Sequence, residues 1–329
     1  MNPSVDTVPA PKTLEALPSA VLRTLMYFGL FAHPLTRKEL AAFCQQEICP
    51  PEKLNGVLEL LLEENFIGLK DGFYFLQGNE ALVDKRRERN ARAESMLPKA
   101  VRYSARIAKF PFVRAVCISG SLSKGTMDKD GDVDYFIITA PRRLWVCRTL
   151  LVLYKKIFLL NSRKYFCVNY FIGTNDLHIP DRNLFTATEV SFIRPMHNAA
   201  LFEAFLEANA WTQQFYPNRN ALNRQEIRPE GKSVLKNLLE KMLGGSFGEW
   251  LDERFFKMTL RRWKKKFSHV DESQFDLNFR SRKNVSKHHP QGFQWTVRRR
   301  LQAAVEEFET AQGIRLQAQD WELLSDRIS

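Results

Sequence analysis

The sequence predicts an α+β fold: a small mixed sheet flanked by helices, with three helices and a hairpin ahead of it and a basic helical region behind it. Three observations point there. Short apolar runs of strand length, at 114–119, 132–139 and 164–172, alternate with longer runs of helical character at 142–160 and 185–208. Asp71-Gly72 stands between Phe66-Ile67-Gly68-Leu69 and Phe73-Tyr74-Phe75-Leu76, a two-residue turn between apolar strands. A length of 329 residues exceeds what one hydrophobic core usually organises, which favours two or three domains.

A hydrophobic fraction of 44% with 26% charged residues is ordinary for a water-soluble globular chain. The 49 basic and 37 acidic residues leave a formal charge of +12. That balance suits an anionic partner; nucleotides, nucleic acid and an anionic membrane surface all qualify. The five cysteines (Cys44, Cys49, Cys117, Cys147, Cys167) are odd in number and show no paired Cys-x-x-Cys spacing. They read as buried free thiols in a reducing compartment. Residues 1–19 carry no basic segment followed by an apolar core. The most apolar stretch, 150–160, is interrupted by Lys155-Lys156 and is too short to cross a bilayer. The expectation is a cytoplasmic protein with no membrane partner.

Residues 1–17 are Pro-rich and polar, a loose tail. Val21, Leu22, Leu25, Met26 and Phe28 predict a buried first helix, and Thr36-Arg37-Lys38-Glu39 is a capping box that starts a second. After Pro50-Pro51, Leu54, Val57, Leu58, Leu61 and Leu62 give a third. Three helices and a hairpin over 18–78 resemble a winged helix domain, a shape that invites DNA binding. The charge opposes that role. From residue 18 to 76 five basic side chains face seven acidic ones, and the third helix carries Glu52, Glu59, Glu63 and Glu64 against Lys53. A groove reader needs the opposite sign, so a docking or regulatory module is the better expectation.

Residues 79–108 read as a connecting helix, its first half crowded with Lys85, Arg86, Arg87, Arg89 and Arg92, as on a solvated face. The sheet and its helices occupy 109–208. Residues 209–329 form the basic helical region, with helices at 247–267 and 293–312. Between Arg254 and Arg300 fourteen basic residues stand against three acidic ones. Nucleic acid is a candidate partner for 254–300, through Lys264-Lys265-Lys266 and stacking on Trp263 or Trp295.

The chemistry is densest around Gly120-Ser121 and Asp132-Val133-Asp134. Residues i and i+2 of a strand share a face, so both carboxylates point the same way. Two acids side by side before an apolar strand are costly to place unless they share a cation. The Gly-Ser turn upstream offers backbone N–H groups and a hydroxyl to phosphate oxygens. No Gly-Lys-Ser/Thr follows it, so the loop is not of Walker type. A Gly-Ser turn closing one strand, with acid–hydrophobic–acid opening the next, resembles the nucleotidyltransferase superfamily that includes DNA polymerase beta and the aminoglycoside nucleotidyltransferases. The resemblance covers roughly residues 98–208. It implies that Gly120 and Ser121 hold the β- and γ-phosphates of an NTP, with Lys124 nearby, and that Asp132 and Asp134 coordinate Mg²⁺ (or Mn²⁺). It further implies transfer of a nucleoside monophosphate to a hydroxyl acceptor, a small molecule, a protein or an RNA, with release of pyrophosphate.

The third strand departs from that pattern. Active relatives commonly place another carboxylate there, whereas this sequence has Asn169. An amide oxygen can ligate a metal, but it brings no charge and takes no proton at neutral pH. Three outcomes are open. The site is degenerate, binding nucleotide in a regulatory role; or it works with one well-held metal and Asn169 in the catalytic set; or Asp176, Asp181 or Glu189 reaches in from outside the strand. Thr186-x-x-Glu189 also fits a capping box. Asp128 and Asp130 read as turn residues, Arg142 and Arg143 as surface. Ser286-Lys287-His288-His289 reads as a phosphate-lining or solvent-facing basic loop.

Overall fold

The computed structural model describes residues 12–48, 50, 52–219, 227–287 and 293–318, without the side chains of 273, 274, 277, 293 and 294. The chain is mixed α and β with several sheets and divides into two compact units. One comprises Met1–Arg86, Gln213–Asn220 and Trp295–Ser329; the other comprises Arg87–Thr212 and Ala221–Gln294. The tail expected over 1–17 lies outside the described residues up to residue 11.

In the first unit, β1 (Lys12–Thr13) and α1 (Ala16–Gly29) are followed by β2 (Leu35–Thr36), α2 (Arg37–Phe43) and α3 (Lys53–Glu63). The hairpin β3 (Ile67–Lys70) and β4 (Phe73–Leu76) joins β2 in an antiparallel sheet of order β2-β4-β3. Asp71 and Gly72 both have positive φ, 51° and 78°, as a two-residue turn between right-twisted strands requires. The capping box is present: Thr36 Oγ1 accepts from Glu39 N at 3.2 Å, and Glu39 Oε2 accepts from Thr36 N at 2.8 Å. α1 buries Val21, Leu22, Leu25, Met26 and Phe28, while Glu59 and Glu63 of α3 and its C-cap residue Glu64 stay exposed. The unit is completed from far along the chain. α12 (Phe293–Gln312) brings Phe308 to within 5.6 Å of the Phe66 ring, and β11 (Ile314–Arg315) pairs with β1.

The connecting helix is α4 (Ala81–Ile107), and its basic half is not uniformly solvated. Arg86 is buried, donating to Glu39 Oε1 at 2.6 Å and to Pro34 O at 2.9 Å. Arg89 is buried too and pairs with Asp128 at 3.0 Å.

The second unit is built on a six-stranded sheet: β5 (Val113–Ser119), β6 (Asp134–Thr139), β7 (Cys167–Gly173), β8 (Arg194–His197), β9 (Ser281–Arg282) and β10 (Val285–Lys287). The order is β8-β5-β6-β7-β10-β9, and only β6 and β7 are parallel. A parallel neighbour needs a crossover, and α6 (Leu144–Phe158) supplies it. Alternation along the strands sends Val116, Ile118, Tyr135, Ile137 and Phe171 to one face, against α4, α6 and α10 (Ser246–Lys266). Ala115, Cys117, Phe136, Ile138 and Ile172 go to the other, with Val190 of α7 (Leu184–Phe192) and Phe202 and Phe205 of α8 (Ala199–Ala208).

Three expectations change here. The single helix at 185–208 is two helices with β8 between them. Pro195 offers no N–H to a helix, and Asn198 restarts one by capping α8 from φ 66°. Residues 209–329 do not stand apart as one helical region: α9 (Val234–Met242), α10, α11 (Glu272–Asn278) and β9–β10 belong with the sheet, and Trp295 onward belongs with the first unit. Strands of two and three residues are too short to print an alternation in the sequence. Arg143 is not surface. It is buried and donates to the carbonyls of Leu243 (2.8 Å), Gly244 and Gly245 (2.9 Å), clasping the turn before α10. Arg142 is exposed and pairs with Glu249 at 3.2 Å. Among the described residues, no helix is long and apolar enough to cross a membrane.

Candidate metal and phosphate site

The ends of three neighbouring strands define the site. β5 and β6 run antiparallel with Ser119 opposite Asp134, so the turn leaving β5 lies beside the start of β6. β6 and β7 run parallel with Asp134 opposite Cys167, which puts both side chains on one face. Asp132 precedes β6 in extended loop rather than in the strand, yet its carboxylate converges with that of Asp134. Ligand atoms of Asp132, Asp134 and Cys167 all lie within 4.8 Å of one another, so this trio could hold a metal ion.

Gly120 makes the close approach feasible. It has φ 67°, and a Cβ there would collide with Asp134 Oδ2. The short helix α5 (Gly120–Ser123) begins at this point, and its cap residue Ser119 makes no side-chain hydrogen bond to the first turn. Its opening N–H groups are therefore not claimed by a side-chain cap. Ser121 is half-buried on this turn, its carbonyl accepting from Thr126 N at 3.1 Å.

Burial first, and then the charge of Asp132, push the Asp134 carboxyl up to about 7, with Cys167 and Lys124 acting in the opposite sense. Burial also raises the Cys167 thiol, and the two carboxylates raise it further. Asn169 sits where the β6–β7 register is irregular and donates Nδ2–H to Asp134 Oδ1 at 2.8 Å. Its own Oδ1 is buried without a hydrogen-bond partner. Carboxylate and amide oxygens are the donors a hard divalent cation prefers, and a cation between the carboxylates would relieve both the burial and the repulsion at Asp134. The two carboxylates are donors of the kind that Mg²⁺ or Mn²⁺ takes, whereas the Cys167 thiol is a softer ligand.

Lys124 reaches the site with its charge already engaged: Nζ lies 2.8 Å from Glu189 Oε1 and 3.2 Å from Gly120 O. The Thr186–Glu189 capping box is absent, because Asn183 caps α7 and Glu189 lies within the helix. The other two outlying carboxylates do not join the trio. Asp181 pairs with Arg280 at 2.7 Å and Lys287 at 3.4 Å, and Asp176 sits in the turn after β7. Lys287 is thus buried in an ion pair, while His288 and His289 fall outside the described residues. Trp263 is buried beneath the Arg148 guanidinium, 4.8 Å from its ring, and is not available to stack on a base; Trp295 is exposed, with Arg299 over it at 4.6 Å.

Cys167 is the member of the site that the sequence did not single out. The signal available was its position two residues before Asn169 on a strand, but its facing partner depends on the parallel register. No protein-family model matches the chain, and no match is found among curated proteins or solved structures.

Proposed function

We propose that the second unit is a metal-dependent nucleotidyltransferase site that transfers a nucleoside monophosphate from an NTP to a hydroxyl acceptor. The observation that carries the reading is the convergence of Asp132 and Asp134 directly beside the Gly120-Ser121 turn. The mixed sheet, with β5 leading to the turn and β6 opening on Asp134, supports it. In this reading, the first-turn N–H groups of α5 and the Ser121 hydroxyl hold the β- and γ-phosphates. Asp132 and Asp134 hold Mg²⁺ or Mn²⁺, with Asn169 orienting Asp134 through its Nδ2–H bond. When bound, the cation offsets charge on the phosphoryl oxygens. The acceptor oxygen attacks the α-phosphorus, the bond to the departing pyrophosphate breaks, and the hydroxyl proton leaves to solvent or to the acceptor's own environment.

A second reading, nucleotide binding without turnover, is favoured by one observation. Asn169, in place of a third carboxylate, is a hydrogen-bond donor to Asp134 and takes no proton. Incubation with labelled NTPs and Mg²⁺, with and without Asp132→Ala, separates the two. Pyrophosphate release that Asp132→Ala abolishes supports transfer. Mg²⁺-dependent NTP binding with no release across an acceptor panel supports the second reading. Absence of any Mg²⁺-dependent NTP binding overturns both.

A further inference from the structure

The end of α6 and the residues after it carry large apolar side chains into solvent. Leu153, Ile157, Phe158 and Leu160 are all exposed, Leu160 at 91%. The backbone there is folded back into a defined tip. Leu160 and Asn161 have left-handed φ of 47° and 59°, and the N–H groups of Leu159 and Asn161 both donate to Lys155 O, at 3.1 and 3.0 Å. Tyr154 anchors its base, in ring contact with Phe110 and Phe166 on the protein side and with Phe158 at 5.1 Å. Lys156, Arg163 and Lys164 are exposed around the tip and Lys155 is half-buried, and the sequence has no Asp or Glu between Asp134 and Asp176.

An apolar tip among cations, with no anion near it in sequence, matches the boundary of a bilayer carrying acidic headgroups. The side chains enter the acyl edge and the cations stay at headgroup level. Other occupants fit less well. Lysine is depleted at protein interfaces. A second copy of this chain would set four cations against four. Nucleic acid would satisfy the cations and leave the aliphatic tip in water. The absence of a crossing helix bears on spanning, not on lying at the surface. We propose that the tip formed by Leu153, Ile157, Phe158 and Leu160, with Lys155, Lys156, Arg163 and Lys164, seats this protein on an anionic lipid surface.

The experiment is co-sedimentation of the full chain with vesicles of phosphatidylcholine alone and of phosphatidylcholine with phosphatidylglycerol. Wild type is expected to pellet only with the anionic vesicles. Leu160→Ser, at a position with almost no contacts to lose, is expected to weaken that binding about tenfold, the effect of about 1.4 kcal/mol. Replacing Lys155, Lys156, Arg163 and Lys164 by Gln is expected to remove it. Three results overturn the proposal: no pelleting with either vesicle; pelleting that Leu160→Ser leaves unchanged, which would assign it to basic residues elsewhere; or a concentration-dependent dimer without vesicle binding that Leu160→Ser dissociates, which would make the tip a contact between copies.

Discussion

At Gly120 two constraints coincide: a left-handed backbone, φ 67°, and a missing Cβ that would otherwise meet Asp134 Oδ2. Gly125 supplies a control, because it has φ 68° with nothing within 4 Å of where a Cβ would lie. Gly125→Ala is expected to cost about 1 kcal/mol, the left-handed penalty alone. Gly120→Ala is expected to cost about 2–3 kcal/mol, because the carboxylate must also be displaced. Urea denaturation of both variants gives the comparison, and equal losses would mean that the Gly120–Asp134 contact constrains nothing. Asn169→Asp probes the same carboxylate from the other side. It replaces a hydrogen-bond donor to Asp134 with a like charge, so in EDTA the variant is expected to be about 1–2 kcal/mol less stable than wild type. Mg²⁺ or Mn²⁺ is expected to recover more stability in the variant than in wild type, because a ligand that binds only the folded state stabilises it. Thermal melts with and without the cation decide it; no cation effect in either protein would remove the metal from the account. The juxtaposition of Gly120 with Asp134, and of Asp134 with Asp132, was legible in the residues themselves, since Gly-Ser closing one strand and Asp-x-Asp opening the next place these groups at neighbouring strand ends. Cys167 was not, because a thiol in an apolar run looks like core until the register with β6 sets it opposite Asp134.

Elements with strong local signals read well, and those fixed by distant contacts did not. The capping box at Thr36 and the turn at Asp71-Gly72 are local chemistry, and both occur where the residues place them. The burial of Arg143 depends on a turn one hundred residues away, and nothing near it in sequence marks it as anything but surface. α9 is held in the same long-range manner. Glu240 accepts from Arg114 Nη1 and Nη2 at 2.8 and 3.0 Å and from Phe112 N at 2.6 Å. Partial burial pushes its carboxyl up, but the Arg114 guanidinium and the Phe112 N–H outweigh that and hold it below the usual carboxylate range. With the folded value depressed, the contribution to stability is fully present above the unfolded value of about 4.3 and is lost as pH falls through the folded one. Glu240→Gln is therefore expected to cost about 1–2 kcal/mol at neutral pH, a figure kept small because the group is partly solvated. The gap between wild type and variant is expected to narrow as the medium is acidified. Denaturation at neutral pH and in acid measures it, and a gap independent of pH would mean that the carboxylate charge does not hold α9.

For the whole molecule, the consequence is that the compact units do not follow the order of residues along the chain. The first unit joins segments from both ends: Lys12 pairs with Ile314, Gln317 N donates to Ser19 Oγ at 2.9 Å, and Phe308 packs on Phe66. α12 also buries Val297, Leu301 and Val305, so residues 293–318 contribute core and not only surface. The second unit closes its sheet with β9 and β10, which end at Lys287, and among the described residues no later strand joins that sheet. Deleting residues 293–329 is thus expected to destabilise α1–α3 and the β3–β4 hairpin, more than two hundred positions away in sequence, by several kcal/mol, since three buried aliphatic residues and an aromatic contact go together. Strands β5, β6 and β7 are expected to keep their protection. Hydrogen exchange followed by mass spectrometry resolves the two regions in one experiment, because local opening reports each cooperative unit separately. Loss of protection confined to 16–76 would establish the division as an energetic one. Equal loss over 113–173 would mean that the two units melt as one, and that the long-range pairings at the chain ends stabilise the strands carrying Asp134 and Cys167 as much as they do the N-terminal helices.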